Sequence, residues 1–168
     1  MSDTYVECLV KARTSLLGKI FKSLLMAMTV VFILAMFVMP PVMTLALIGA
    51  ILTGVGAYFV NLFTDLEYEY LYLDKELTVD KIMAKTKRKR MAVYQLDKME
   101  ILAPVKSHQL DSFRNRSAKQ KDYSIGLELK PDRRYAMYYE GNEKILLSPS
   151  EELVKAMKNV APRKVFTD

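Results

Sequence analysis

No tryptophan, one cysteine and one histidine occur among the 168 residues. With Cys8 alone, no intrachain disulfide can staple the fold. One Cys and one His also fall short of the clustered nitrogen and sulfur ligands of a zinc site, so no metal is expected. His108 lies in a polar stretch and reads as a solvated residue rather than a general base. Phosphate-binding glycine loops and nucleophile motifs are missing too, which leaves no catalytic residue and no cofactor to nominate. The largest absence is of charge: from Ser23 to Thr64 there is no Asp, Glu, Lys, Arg or His.

That run is broken once, at Pro40-Pro41, into a shorter arm, Leu24–Met39, and a longer one, Val42–Phe63. As helices the two arms reach about 24 Å and 33 Å, against a hydrocarbon core of about 30 Å. Residues 23–64 therefore read as a two-helix transmembrane hairpin with its turn at 39–42. A cleaved signal peptide is the rival reading, since Lys11, Arg13, Lys19 and Lys22 resemble a basic leader. The second, longer apolar run and the lack of a small-residue cleavage site favour the hairpin. Lys11, Arg13, Lys19 and Lys22 precede the first arm, and Lys75 and Lys81 follow the second. The tip carries no basic residue. The positive-inside rule then places both termini in the cytoplasm, on a cell-membrane protein crossing twice. Without ionisable groups in either arm, an ion path through the hairpin is disfavoured. In the second arm Ala46, Ala50 and Gly54 form one small-residue stripe, and Gly49, Thr53 and Ala57 form a neighbouring one. One stripe suits packing on the first arm; the other is left for a second copy or a membrane-protein partner.

Residues 1–22 read as an amphipathic, interfacial helix, with Tyr5, Val6, Leu9, Val10, Leu16, Leu17, Ile20 and Phe21 at helical spacing. Thr4 and Glu7 fit a capping box, and Gly18 marks a bend into the bilayer. The alternative is a plain cytoplasmic extension of the first arm. Cys8 is expected on an apolar helix face, with S-palmitoylation the less favoured reading.

From residue 65 the period changes to that of strands. Glu67–Leu73 alternates, with Tyr68, Tyr70 and Tyr72 on one face, and Asp74-Lys75 turns into Glu76–Ala84, where Leu77, Val79 and, as a further candidate, Ile82 point inward. Met91–Leu96, Met99–Pro104, Tyr123–Leu129, Arg133–Glu140 and Glu143–Ser148 follow as strands. Turns fall at Pro131-Asp132 and Gly141-Asn142, and 105–121 reads as a long loop. A final helix over about 150–160 starts at Ser150, presents Leu153, Val154, Met157 and Val160, and ends before Pro162. The expected fold is an α+β membrane protein: the hairpin, then over 65–168 a seven-stranded antiparallel barrel capped by the C-terminal helix.

Tyr68, Tyr70, the Asp74 turn, the basic Lys85–Arg90 segment, Leu96 and Met99 follow the order seen in bacterial pleckstrin-homology (PH)-like membrane proteins. The chain resembles that family, and a group of short, uncharacterised two-span proteins from clostridia-type bacteria. The resemblance implies a PH-like barrel beside a membrane and no particular reaction. Phosphoinositide-binding PH domains use a basic first hairpin loop. Here that loop reads as Asp74-Lys75 alone, so stereospecific inositol-phosphate binding is not implied.

Charge carries the functional expectation. Residues 65–168 hold 21 Lys/Arg against 17 Asp/Glu. Lys85, Lys87, Arg88, Lys89 and Arg90 form one basic segment, and Arg114, Arg116, Lys119 and Lys121 a second. Both are candidates for anionic headgroups of the lipid bilayer or for a protein partner; solvated loop charge is the plain alternative. No nucleic-acid-reading motif accompanies them, so nucleic acid is not an expected partner. The reading is a membrane-anchored PH-like interaction module. Its rivals are an accessory subunit of a transporter or membrane enzyme complex, and an enzyme acting on lipid.

Overall fold

The computed structural model describes residues 5–12, 16–38, 40–125 and 132–167. It divides into two compact units, one of residues 14–66 with 83–86, the other of residues 1–13, 67–82 and 87–168. The expected capping residue Thr4, the basic Arg13, the tip residue Met39 and the segment 126–131 lie outside the described residues.

The first unit is built on two antiparallel helices. Helix α1 spans Leu16–Val38, a 3₁₀ turn spans Pro40–Val42, and α2 spans Met43–Thr64. Proline cannot donate to the helical ladder and restricts the residue before it, so two in succession end α1. Both helices are long and apolar enough to cross a bilayer. Small side chains let them approach. Ala46 and Ala57 are buried, and a Cβ added at Gly49 would meet the Phe32 ring at 2.9 Å. The Thr29 and Thr53 hydroxyls lie 2.9 Å apart, and each reaches a carbonyl one turn back, Leu25 and Gly49 respectively. Gly54 faces the Thr29 methyl at 3.7 Å as a Cβ would see it, and Ala50 is half-buried. Residues of both small stripes thus meet α1, because an antiparallel partner covers more than one stripe of a helix. Gly49→Leu is expected to force the helices apart and cost about 1–3 kcal/mol. Thermal unfolding of the full chain in detergent, compared with Gly54→Ala as a tolerated control, measures it.

In the second unit, strand β1 is Val6–Lys11. The expected amphipathic helix over 1–22 is therefore replaced at its centre by a strand, and Cys8 stands on that strand, half-buried. Apolar residues at 5, 6, 9 and 10 suit a helix, yet Val6, Cys8 and Val10 also alternate. The open edge of β2 (Leu66–Leu73) decides between them, pairing antiparallel from Val6↔Tyr72 to Lys11↔Glu67. Strands β3 (Glu76–Met83) and β4 (Lys87–Gln95) complete a sheet of order β1-β2-β3-β4. Both helices are consequently inserted in the connection between the first two strands. Asp74-Lys75 joins the second strand to the third, with φ of 47° and 66°, the left-handed pair of a two-residue hairpin.

A 3₁₀ turn at Leu96–Lys98 leads the chain out of this sheet. The second sheet contains β5 (Met99–Pro104), β6 (Lys119–Asp122), β7 (Tyr135–Tyr139) and β8 (Glu143–Leu147), in the order β5-β7-β8-β6. The fold is thus two four-stranded sheets rather than one seven-stranded barrel. The stretch expected as a loop, 105–121, holds the short helix α3 (Asp111–Arg114) and the start of β6. The strand expected at Tyr123–Leu129 is not one over its described part; β6 lies just before it, parallel to β8.

Helix α4 (Glu151–Val160) begins where Ser150 Oγ accepts from the Leu153 N–H at 3.2 Å. It buries Leu153, Val154, Ala156 and Met157, while Val160 stays 42 % exposed, so the apolar stripe ends one turn earlier than the sequence suggests. These residues join Tyr70, Tyr72, Leu77, Val79, Leu102, Met137, Ile145 and Leu147 in one core. The Tyr70 hydroxyl, deep in that core, donates to the Tyr123 carbonyl at 2.5 Å and accepts from Ser148 N–H at 3.2 Å. Burial pushes its pKa well up.

Candidate functional site

Lys85 occupies the turn after β3. It and Ala84 have φ of 57° and 47°, and the Ala84 N–H donates to the Asp65 carbonyl at 2.7 Å. Asp65 directly follows α2 and caps it, its own N–H reaching the Asn61 carbonyl at 3.0 Å. Lys85 therefore stands at the root of the helical pair. At the same root, Lys22 Nζ donates to Asn61 Oδ1 at 2.7 Å. Antiparallel strands explain the placement: β1 ends, β2 begins and the β3–β4 turn falls at one end of the first sheet. The basic residues beginning β4 leave from that same turn.

Lys87, Arg88, Lys89 and Arg90 lie on strand β4, not in a loop as the sequence suggests, and all four are exposed. Two of them are already engaged. Arg88 Nη2 donates to Glu69 Oε1 at 2.7 Å and lies 2.5 Å from Oε2; Arg90 Nε stands 3.7 Å from Asp80 Oδ1. Glu69 and Asp80 are each only 3 % exposed. Burial raises the Glu69 pKa, and the Arg88 charge opposes that rise. The spacing around the hairpin turn holds the signal for this acidic pair. Glu69 lies five positions before Asp74 and Asp80 five after Lys75, so a two-residue turn sets them side by side across the strands. Two like charges in that position require cations, and β4 supplies them.

The second basic group is similarly occupied. Arg114 pairs with Asp111 at 3.1 Å. Arg116 pairs with Glu100 at 2.7 Å and stacks 4.6 Å from the Phe113 ring centre. Lys121 pairs with Glu143 at 2.8 Å. Of the nine expected binding residues, Lys85, Lys87, Lys89 and Lys119 have no carboxylate partner among the described residues. The first three are neighbours in one exposed stretch, whereas Lys119 sits on the other sheet. His108 is 99 % exposed, 3.5 Å from Asp111. No group of three His, Cys, Asp or Glu poised for a metal occurs among the described residues.

Comparison with curated proteins and with solved structures gave no significant match. A family model described as "Bacterial PH-like domain (DUF6106)" matches residues 2–167. That span takes in β1, the inserted helices, both sheets and α4. The chain is a member of the bacterial PH-like domain family.

Proposed function

We propose that this protein is a membrane-anchored interaction module, in which α1 and α2 cross the cytoplasmic membrane as a hairpin and hold the PH-like unit against its inner surface. One observation carries the reading. Two adjacent helices of spanning length hold no charged residue between Ser23 and Thr64, and Lys19, Lys22 and Lys85 stand where the helices begin and end. Both termini lie on the cytoplasmic side, because the only basic flanks are at the open end of the hairpin. Lys85, Lys87 and Lys89, exposed and without carboxylate partners among the described residues, are the cations left to attract anionic headgroups, by about 1 kcal/mol each when near the surface. The anchor keeps the unit at high effective concentration beside the bilayer, so contacts that are weak singly act together. The ion-paired Arg88 and Arg90 brace the sheet and take little part in this attraction. The reading as an accessory subunit is the weaker one, since Gly49 and Thr53, which would seat a larger partner, already meet Phe32 and Thr29 of α1.

Two measurements on the full chain test this. After carbonate washing of native membranes the protein should remain in the pellet; release into the supernatant would contradict the anchor. In lipid nanodiscs, amide exchange at residues 85–90 should be slower with phosphatidylglycerol than with phosphatidylcholine. Lys85→Gln/Lys87→Gln/Lys89→Gln should abolish the difference, and Lys119→Gln should leave it nearly intact. Equal exchange in the two lipids would refute the docking role.

A further inference from the structure

We propose that the groove between α1 and α2 is a binding site for one anionic phospholipid, with Lys22 holding the phosphate and an acyl chain lying along the helices. The inference rests on the membrane-anchored reading above and adds a defined site to it.

The groove has a volume of about 450 Å³, within the roughly 300–1,000 Å³ of small-ligand sites. Its walls come from Lys22, Met26 and Val30 on α1 and from Gly54, Ala57 and Asn61 on α2. Residues 22, 26 and 30 recur every fourth position along one helix face, and 61, 57 and 54 run the opposite way on the other. Lys22 and Asn61 are therefore at one end, and Val30 and Gly54 at the other, where Thr29 is the one polar side chain on the wall. From Lys22 to Val30 the groove descends eight residues, about 12 Å along the helix. The hollow exists because Gly54 and Ala57 present almost no side chain there.

Charge complementarity selects the occupant. Lys22 is the last charged residue before the uncharged run, and it is half-buried at the mouth of the groove. An ammonium has three donors. One goes to Asn61 Oδ1 at 2.7 Å, and no second protein acceptor for it exists among the described residues. Lys19, one turn earlier, adds positive charge, and no acid lies between Glu7 and Asp65 to cancel it. Tyr58, on the groove wall, supplies the amphipathic ring favoured at the headgroup boundary. Deeper down, the Thr29 hydroxyl is already occupied by the Leu25 carbonyl and Thr53, so it does not demand a polar ligand. The occupant must be anionic at the mouth and apolar for about 12 Å below it, which describes a phosphodiester headgroup followed by the upper part of an acyl chain.

The test is native mass spectrometry of the full chain released from micelles containing equal amounts of phosphatidylglycerol and phosphatidylcholine. The expected result is one retained phosphatidylglycerol per chain, about tenfold over phosphatidylcholine. Lys22→Gln should reduce that preference about fivefold, Lys22→Arg should preserve it, and Gly54→Leu should lower retention of both lipids by filling the hollow. Wild-type retention in Lys22→Gln, or equal retention of the two lipids by the unmodified chain, would overturn the site. Carbonate washing separates this from failure of the anchor. A chain that pellets but shows no preference refutes the groove alone, whereas a chain that washes off refutes both.

Discussion

Replacing Arg134 by alanine should destabilise the PH-like unit by about 3 kcal/mol, the low end for breaking a buried ion pair. The Arg134 side chain is 8 % exposed and that of Asp132 is 11 %. Two parallel bonds join them, Nε to Oδ1 and Nη2 to Oδ2, both 2.9 Å, and the Arg134 N–H donates to Oδ1 at 3.1 Å. Without the guanidinium, the half-buried Asp132 carboxylate keeps only the backbone donor and the more distant Lys106 charge. Lysine in its place should recover the charge but not the fork, and so restore only part of the loss. The same pair gives a pH dependence. Hydrogen bonding from Arg134 holds the Asp132 pKa below the usual carboxylate value, against the opposing effect of burial. A depressed folded pKa means the stabilisation is complete above the ordinary carboxylate range and is lost as pH falls through the lower folded value. Glu69 acts with the opposite sign: its raised pKa makes the folded form take up a proton first, so acidification through that window favours folding. Urea denaturation of the full chain in detergent, from pH 7 down to about 3, should therefore show the Arg134→Ala difference shrinking at the acid end. A difference that is constant with pH would contradict the assignment.

Leu77→Ala should cost about 3 kcal/mol, within the 2–5 kcal/mol typical of fully buried leucines. Leu77 has no exposed surface and belongs to the main core. Leu73, four residues earlier and across the Asp74-Lys75 turn, is 44 % exposed, and Leu73→Ala should change stability by less than about 0.5 kcal/mol. The contrast tests register as well as burial, because a slip of one residue in the hairpin turns every side chain to the other face. Comparable losses for the two variants in urea denaturation would show that the strand pairing is not as described.

What the chain discloses before folding depends on how local each cause is. Strands β2 and β3 are legible because Tyr68, Tyr70, Tyr72, Leu77 and Val79 alternate on either side of a two-residue turn. Helix α4 is legible because Ser150, Glu151 and Glu152 mark its start and Leu153, Val154 and Met157 its buried face. Strand β1 is not, since Val6–Lys11 satisfies the helical and the strand period alike. Its state is fixed by the vacant edge of β2, which the chain reaches only after both helices. The polar strand β6 is hidden for a related reason: Lys119–Asp122 joins β8 through backbone pairing, which leaves no apolar alternation to read. Within the basic segments, charge is visible but pairing is not. Glu69, Asp80, Glu100, Asp111 and Glu143 neutralise five of the nine expected residues, and only the folded geometry reveals which five.

The measurement that bears most directly on the anchor is a paired reporter fused after Asp168, green fluorescent protein in one fusion and alkaline phosphatase in the other. With both helices crossing and the open end of the hairpin inside, the first should fluoresce and the second should be inactive. An active phosphatase and a dark fluorescent protein would place the PH-like unit on the outer side of the membrane and contradict the account.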